Sequence, residues 1–148
     1  MKKIKEIDSQ NMQSQISSVY SQVEDSIKII ENFFRKDKRY SKILKKYDNI
    51  LIIGMGGSAI GADFASKCFK DTYSKPIFIL RDYELPGWVT QKTFVIVSSY
   101  SGNTEETLTA YKSCLMIGCN SIAISTGGIL SQIAIKNKVG LIKIPKGF

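Results

Sequence analysis

From Asp48 onward, short apolar runs alternate with stretches of helical spacing, and that alternation constrains the fold more than any other feature. The runs are Asn49–Ile53, Pro76–Leu80, Thr93–Ser98, Ser121–Ser125 and Val139–Ile144. A strand that reads apolar with little alternation is buried on both faces, as in a parallel sheet covered by helices. The stretches running to Lys70, from Glu105 to Ile117 and from Ile129 to Lys136 supply such helices. Crossovers between parallel strands are right-handed, so the pattern predicts a doubly wound α/β fold with a five-stranded parallel sheet. With 148 residues there is room for one such domain and an appended helix.

The first 53 residues contain neither Gly nor Pro. Between residues 9 and 36, Met12, Ile16, Val19, Val23, Ile27, Ile30 and Phe33 or Phe34 recur in steps of three and four, which draws one stripe along a helix. The basic stretch up to Tyr47 reads as a second short helix. We therefore divide the chain into a helical arm over 1–47 and an α/β domain over 48–148. The stripe is expected to pack on the following domain or on a second subunit, rather than to form a cofactor site.

Composition excludes several function classes. Hydrophobic and charged fractions of 43% and 23% are those of an ordinary folded domain, not a disordered chain. The longest apolar runs, such as Ile50–Ile53, are too short to cross a bilayer, so no membrane association is expected. Met1-Lys-Lys-Ile-Lys-Glu6 leads into no apolar stretch or cleavage site, which points to the cytoplasm. Cys68, Cys114 and Cys119 form no C-x-x-C pair and read as small, reduced, buried hydrophobes. The net charge of +8 has one dense cluster, Arg35-Lys-Asp-Lys-Arg39 continuing to Lys42, Lys45 and Lys46. It has few aromatic neighbours and no nucleic-acid motif, so it reads as a solvated helix face or linker and no nucleic-acid partner is expected. Histidine is absent altogether, which removes the commonest general base and metal ligand.

Doubly wound sheets bind ligands beyond the carboxyl ends of their strands, where the winding direction switches. After the first run comes Gly54-Met-Gly-Gly-Ser58-Ala-Ile-Gly61, a turn whose glycines let backbone N–H groups approach an anion at a helix N-terminus. Gly54-x-Gly56-x-x-Ala59 also meets a loose dinucleotide fingerprint, with Asp82 as the candidate ribose partner. A tight turn with no ligand is the plain alternative. After the third run comes Ser98-Ser-Tyr-Ser-Gly-Asn-Thr104-Glu-Glu-Thr107, with Asn103 and Glu106 at capping-box spacing. Hydroxyls and N–H groups can wrap a phosphate without a cation. A merely capped turn would not need Ser99, Ser101 and Thr104 together, and a dinucleotide fold has no use for this second loop. Glu105 and Glu106 would repel an anion, so they should point away from it.

Three segments carry a family resemblance: Gly54-Met-Gly-Gly-Ser-Ala-Ile-Gly61, Arg81-Asp-Tyr-Glu-Leu-Pro-Gly-Trp-Val89 and Ser98-Ser-Tyr-Ser-Gly-Asn-Thr-Glu-Glu-Thr-Leu108. From about Ile50 to its last residue the chain resembles the sugar isomerase (SIS) domain, with Ser125-Thr-Gly-Gly128 and Pro145-Lys-Gly147 in family positions. Within that superfamily it is most like the N-terminal half of the bifunctional phosphoglucose/phosphomannose isomerases. The resemblance implies a flavodoxin-like three-layer sandwich, and phosphate contacts at Gly57, Ser58, Ser99, Ser101 and Thr104. It implies interconversion of glucose 6-phosphate or mannose 6-phosphate with fructose 6-phosphate by proton transfer, in a homodimer, with no metal or organic cofactor.

The family enzymes carry two SIS domains, and their base Glu, ring-opening His and catalytic Lys belong to the second, which this chain does not include. Its own acid–base candidates are Asp82, Glu84, Glu105 and Glu106, none marked as poised. The expectation is a hexose 6-phosphate half-site with no catalytic residue in this chain, completed by a C-terminal SIS half. A stand-alone sugar-phosphate sensor is the alternative, and a dinucleotide-binding domain a more distant one. The Arg81–Val89 segment is expected to pack through Leu85 and Trp88, with Arg81 or Asp82 capping loops.

Overall fold

The computed structural model describes residues 7–8, 11–43 and 46–146. Lys45 of the basic cluster and Gly147 of the Pro145-Lys-Gly segment lie outside the described residues. The elements are α1 (Met12–Ser17), α2 (Val19–Lys36), α3 (Arg39–Ile43), β1 (Asn49–Ile53), α4 (Gly56–Cys68), β2 (Ile77–Leu80), β3 (Thr93–Ser98), α5 (Glu105–Ile117), β4 (Asn120–Ser125), α6 (Gly128–Lys136) and β5 (Gly140–Lys143). The five strands form one sheet in the order β2-β1-β3-β4-β5, parallel throughout. The doubly wound sheet expected from the apolar runs is therefore present, and the winding reverses between β1 and β3.

Alternation along the strands splits the interior into two layers. Leu51, Ile53, Val95, Val97 and Ala123 pack with Leu108, Tyr111 and Cys114 of α5 and Leu130 and Ala134 of α6. Ile50, Ile52, Phe94, Ile122 and Ile142 face the other way, towards Ala62 of α4 and Tyr40, Tyr47, Ile29, Phe33 and Phe34. Helices on both faces make three layers. Leu51, Ile53, Phe94, Val95 and Val97 are at most 1% exposed, and each buried side chain of this size stabilises the fold by about 1.5–3 kcal/mol. The link from β2 to β3 has no helix; its Leu85 and Val89 join the α5 layer instead.

Of the two partners expected for the arm's stripe, the following domain is not the one. Phe33 and Phe34 pack on the sheet with Ile29, but Met12, Ile16, Val19, Val23, Ile27 and Ile30 remain 44–66% exposed. The side of α2 that faces the domain carries Gln22, Ser26, Ile29 and Phe33, one residue ahead of the stripe. The arm is anchored at its far end. There the Gly140 N–H donates to the Tyr40 hydroxyl (2.6 Å), and a Cβ on Gly140 would stand 2.6 Å from the Phe33 and Tyr40 rings. Cys114 and Cys119 are buried as expected, whereas Cys68 at the end of α4 is exposed. Among the described residues no helix is long and apolar enough to cross a membrane.

Candidate functional site

The register brings the two loops together. Ile53 of β1 pairs with Val97 of β3, so the chain leaves both strands side by side at the point where the winding reverses. The approach is close enough that a Cβ on Gly54 would meet the Ser98 carbonyl at 3.1 Å. Beyond these strand ends lies an open cleft of about 900 Å³, lined by Gln22, Ser26, Met55, Gly57, Ser58, Gly61, Ser98, Tyr100, Ser101, Thr104 and Ile144. Of the five residues expected to hold a phosphate, Gly57, Ser58, Ser101 and Thr104 line this cleft.

Ser99 sits elsewhere. It is 2% exposed, its hydroxyl hydrogen-bonds the Thr104 hydroxyl at 2.9 Å and accepts the Gly102 N–H at 3.1 Å. It is a strut beneath the loop that orients Thr104, not a wall of the cleft.

Two helices begin at the cleft. Met55 precedes α4 and Thr104 precedes α5, both in extended conformation and neither with a side-chain cap bond. Apart from the Ser58 N–H, which donates to the Met55 carbonyl at 3.1 Å, their first-turn N–H groups have no carbonyl partner within the helix, and the positive dipole ends lie at the same place. Two uncapped helix starts beside three hydroxyls form a donor-rich cradle suited to an anion.

The capping box expected of Asn103 and Glu106 is not formed, because Asn103 serves another helix. Its Oδ1 accepts the Ile129 N–H at the start of α6 (3.0 Å). The Gly102 carbonyl likewise accepts the Leu130 N–H (2.9 Å), and the Tyr100 carbonyl accepts the Thr126 N–H at 3.1 Å. Thr126 Oγ1 adds a second donor to that carbonyl at 2.8 Å, and Ser101 Oγ accepts the Asn103 N–H at 3.1 Å. Here Gly102 is required: its φ is +72°, and a Cβ would lie 1.9 Å from the Gly127 carbonyl oxygen. The Ser125-Thr-Gly-Gly128 segment thus holds the second loop in shape.

Among the described residues no carboxylate, lysine, arginine or cysteine lines the cleft. Glu105 and Glu106 face Tyr83 instead. Burial, followed by the charges of Glu105 and Glu106 and a hydrogen bond to Glu106, raises the Tyr83 hydroxyl above its ordinary value. Asp82 Oδ1 accepts the Tyr83 N–H at 2.6 Å, capping its own loop, and Asp82 does not line the cleft. Arg81 caps no loop; it pairs with Asp63 of α4. Trp88 stacks on Phe78 with ring centroids 4.4 Å apart, so this segment packs as expected. Sequence reasoning missed Gln22, Ser26, Met55, Tyr100 and Ile144 as cleft residues. Polar positions on a helix that folds back from far along the chain carry no local signal.

Comparison with known proteins agrees with this geometry. No family model matches the chain. Over 100 residues, 68% of this chain and 30% of the relative, it is 48% identical to a bifunctional phosphoglucose/phosphomannose isomerase from Caldicellulosiruptor bescii. Over 129 residues, 85% of this chain and 40% of the relative, it is 36% identical to the Aquifex aeolicus protein of the same name. The chain thus spans about 30–40% of the length of these curated relatives. Among solved structures, the Vibrio vulnificus NanR protein complexed with ManNAc-6P has a TM-score of 0.67 at 17% identity, covering 96% of this chain and 55% of that one. At that identity the likeness speaks for the fold alone. Over about two thirds of its length the chain is thus similar in sequence to the bifunctional phosphoglucose/phosphomannose isomerases.

Proposed function

We propose that this domain holds the phosphate of a hexose 6-phosphate in the cradle between its two loops. It would serve as the substrate-binding half of an enzyme that interconverts glucose 6-phosphate or mannose 6-phosphate with fructose 6-phosphate. The observation that carries the reading is the cleft lining, where Gly57, Ser58, Ser101 and Thr104 meet two helix starts and, among the described residues, no carboxylate, lysine, arginine or cysteine. Such a site can bind and orient a dianion. Moving a proton between C2 and C1 needs positioned acid and base groups, which on this reading come from the second SIS domain.

Hydrogen bonds to a charged oxygen are worth about 1.5–3 kcal/mol each, so removing one hydroxyl should weaken binding by roughly tenfold or more. The test is a calorimetric titration with fructose 6-phosphate, with NAD as a control. Saturable binding, weakened in Ser101→Ala and Thr104→Ala and absent for NAD, is expected. A folded chain that binds neither fructose 6-phosphate nor inorganic phosphate would refute the reading. The same chemistry-free lining suits a second function, that of a sugar-phosphate sensor. Isomerase activity restored by adding the C-terminal half of a relative would exclude that function as the main one.

We further propose a cytoplasmic homodimer. The exposed stripe on α1 and α2 supports it, since a row of six apolar residues along an amphipathic helix is an association surface. A clean monomer by sedimentation at micromolar concentration would count against this.

A further inference from the structure

The inward face of α2 changes character along its length. Ile29 and Phe33 cover the sheet, while Ser26 and Gln22, one and two turns earlier, line the cleft. Their hydrogen bonds fix what the arm offers there. Ser18 Oγ donates to the Gln15 carbonyl (2.8 Å), so it accepts the Gln22 Nε2–H at 2.8 Å, which sets the orientation of the amide. Ser26 Oγ spends its proton on the Gln22 backbone carbonyl at 2.8 Å. Gln22 Oε1 and the lone pairs of Ser26 Oγ are left as acceptors.

The two walls are therefore of opposite chemistry. The loop wall is rich in donors and suits phosphate oxygens, which only accept. The arm wall offers acceptors that would gain nothing from a phosphate but would receive protons from a polyol. We infer that Gln22 and Ser26 bind the sugar hydroxyls of the ligand whose phosphate sits in the loops, so that the helical arm sets selectivity for the sugar. This rests on the phosphate-cradle reading above.

The test compares two ligands, fructose 6-phosphate and inorganic phosphate, on the full chain. In the Gln22→Ala/Ser26→Ala variant, the Kd for fructose 6-phosphate should rise by about tenfold, the loss of one or two ordinary hydrogen bonds. The Kd for inorganic phosphate should stay within about twofold, and Glu24→Ala, an exposed residue of the same helix outside the cleft, should change neither. Equal losses for both ligands would mean that the arm merely supports the loops, and no loss would mean that it touches no ligand. A wild-type chain that binds fructose 6-phosphate no more tightly than phosphate would overturn the inference and leave the cradle standing. Binding of neither ligand would remove both.

Discussion

The two glycine-bearing loops of the cleft look alike in sequence and differ in what their glycines do. In the second loop the space is filled: a Cβ on Gly102 would meet the Gly127 carbonyl at 1.9 Å, and one on Gly128 the Ser101 carbonyl at 2.5 Å. Those glycines let two backbone segments interlock. In the first loop a Cβ on Gly57 would meet nothing within 4 Å, although the residue lines the cleft. Packing does not require glycine there. On the proposed reading, Gly57 instead leaves room for a ligand to approach the backbone, a role distinct from the packing that Gly102, Gly128 and, in the first loop, Gly54 serve.

Gly102→Ala should do the most damage, since it combines a strained φ with a backbone clash. A loss of about 3 kcal/mol or more is expected in urea unfolding, and an unchanged midpoint would show that the loops are not interlocked. Gly57→Ala should do the reverse. Stability should hold or rise by about 0.5 kcal/mol, because alanine is better in a helix, while fructose 6-phosphate affinity falls at least roughly tenfold. Equal damage to stability and binding would erase the difference between the loops.

The hydroxyls sharpen the comparison further. Ser101→Ala should weaken binding about tenfold with little change in stability. Ser99→Ala should cost about 1 kcal/mol of stability as well, because it removes the Ser99 hydroxyl's hydrogen bonds to Thr104 and the Gly102 N–H, the latter keeping the Ser99 carbonyl. The smallest effect expected is that of pH. With no carboxylate, lysine, arginine or cysteine among the described residues of the cleft lining, affinity should follow the second ionisation of the phosphate itself, near pH 6. Between pH 7 and 9 the Kd should stay within about twofold, as read by the same titration. A steep change in that window would reveal an ionisable partner in the site.

The sheet was legible because buried parallel strands must be apolar on both faces, and runs such as Thr93–Ser98 carry that requirement in every residue. The two loops were legible because glycine and hydroxyl residues at strand ends have few other uses. The direction of each hydroxyl was not. Ser99 and Ser101 read the same in the sequence, yet the turn buries one and exposes the other. Periodicity likewise marked the apolar stripe of the arm without saying what covers it. The arm folds back on the sheet through Phe33 of α2 and Tyr40 of α3 and so brings Gln22 to residues more than thirty positions away. Asn103 carried a capping signal that was spent on α6 rather than α5, since capping chemistry identifies a donor type and not which helix supplies it.

The central claim is that an anion sits between the two loops. A backbone amide NMR titration with fructose 6-phosphate tests it most directly. The account expects the largest shifts at Gly57, Ser58, Ser101 and the first turn of α5, with smaller ones near Gln22. Largest shifts instead around Lys67 and Lys70, which line a separate hollow at the other end of α4, would contradict it.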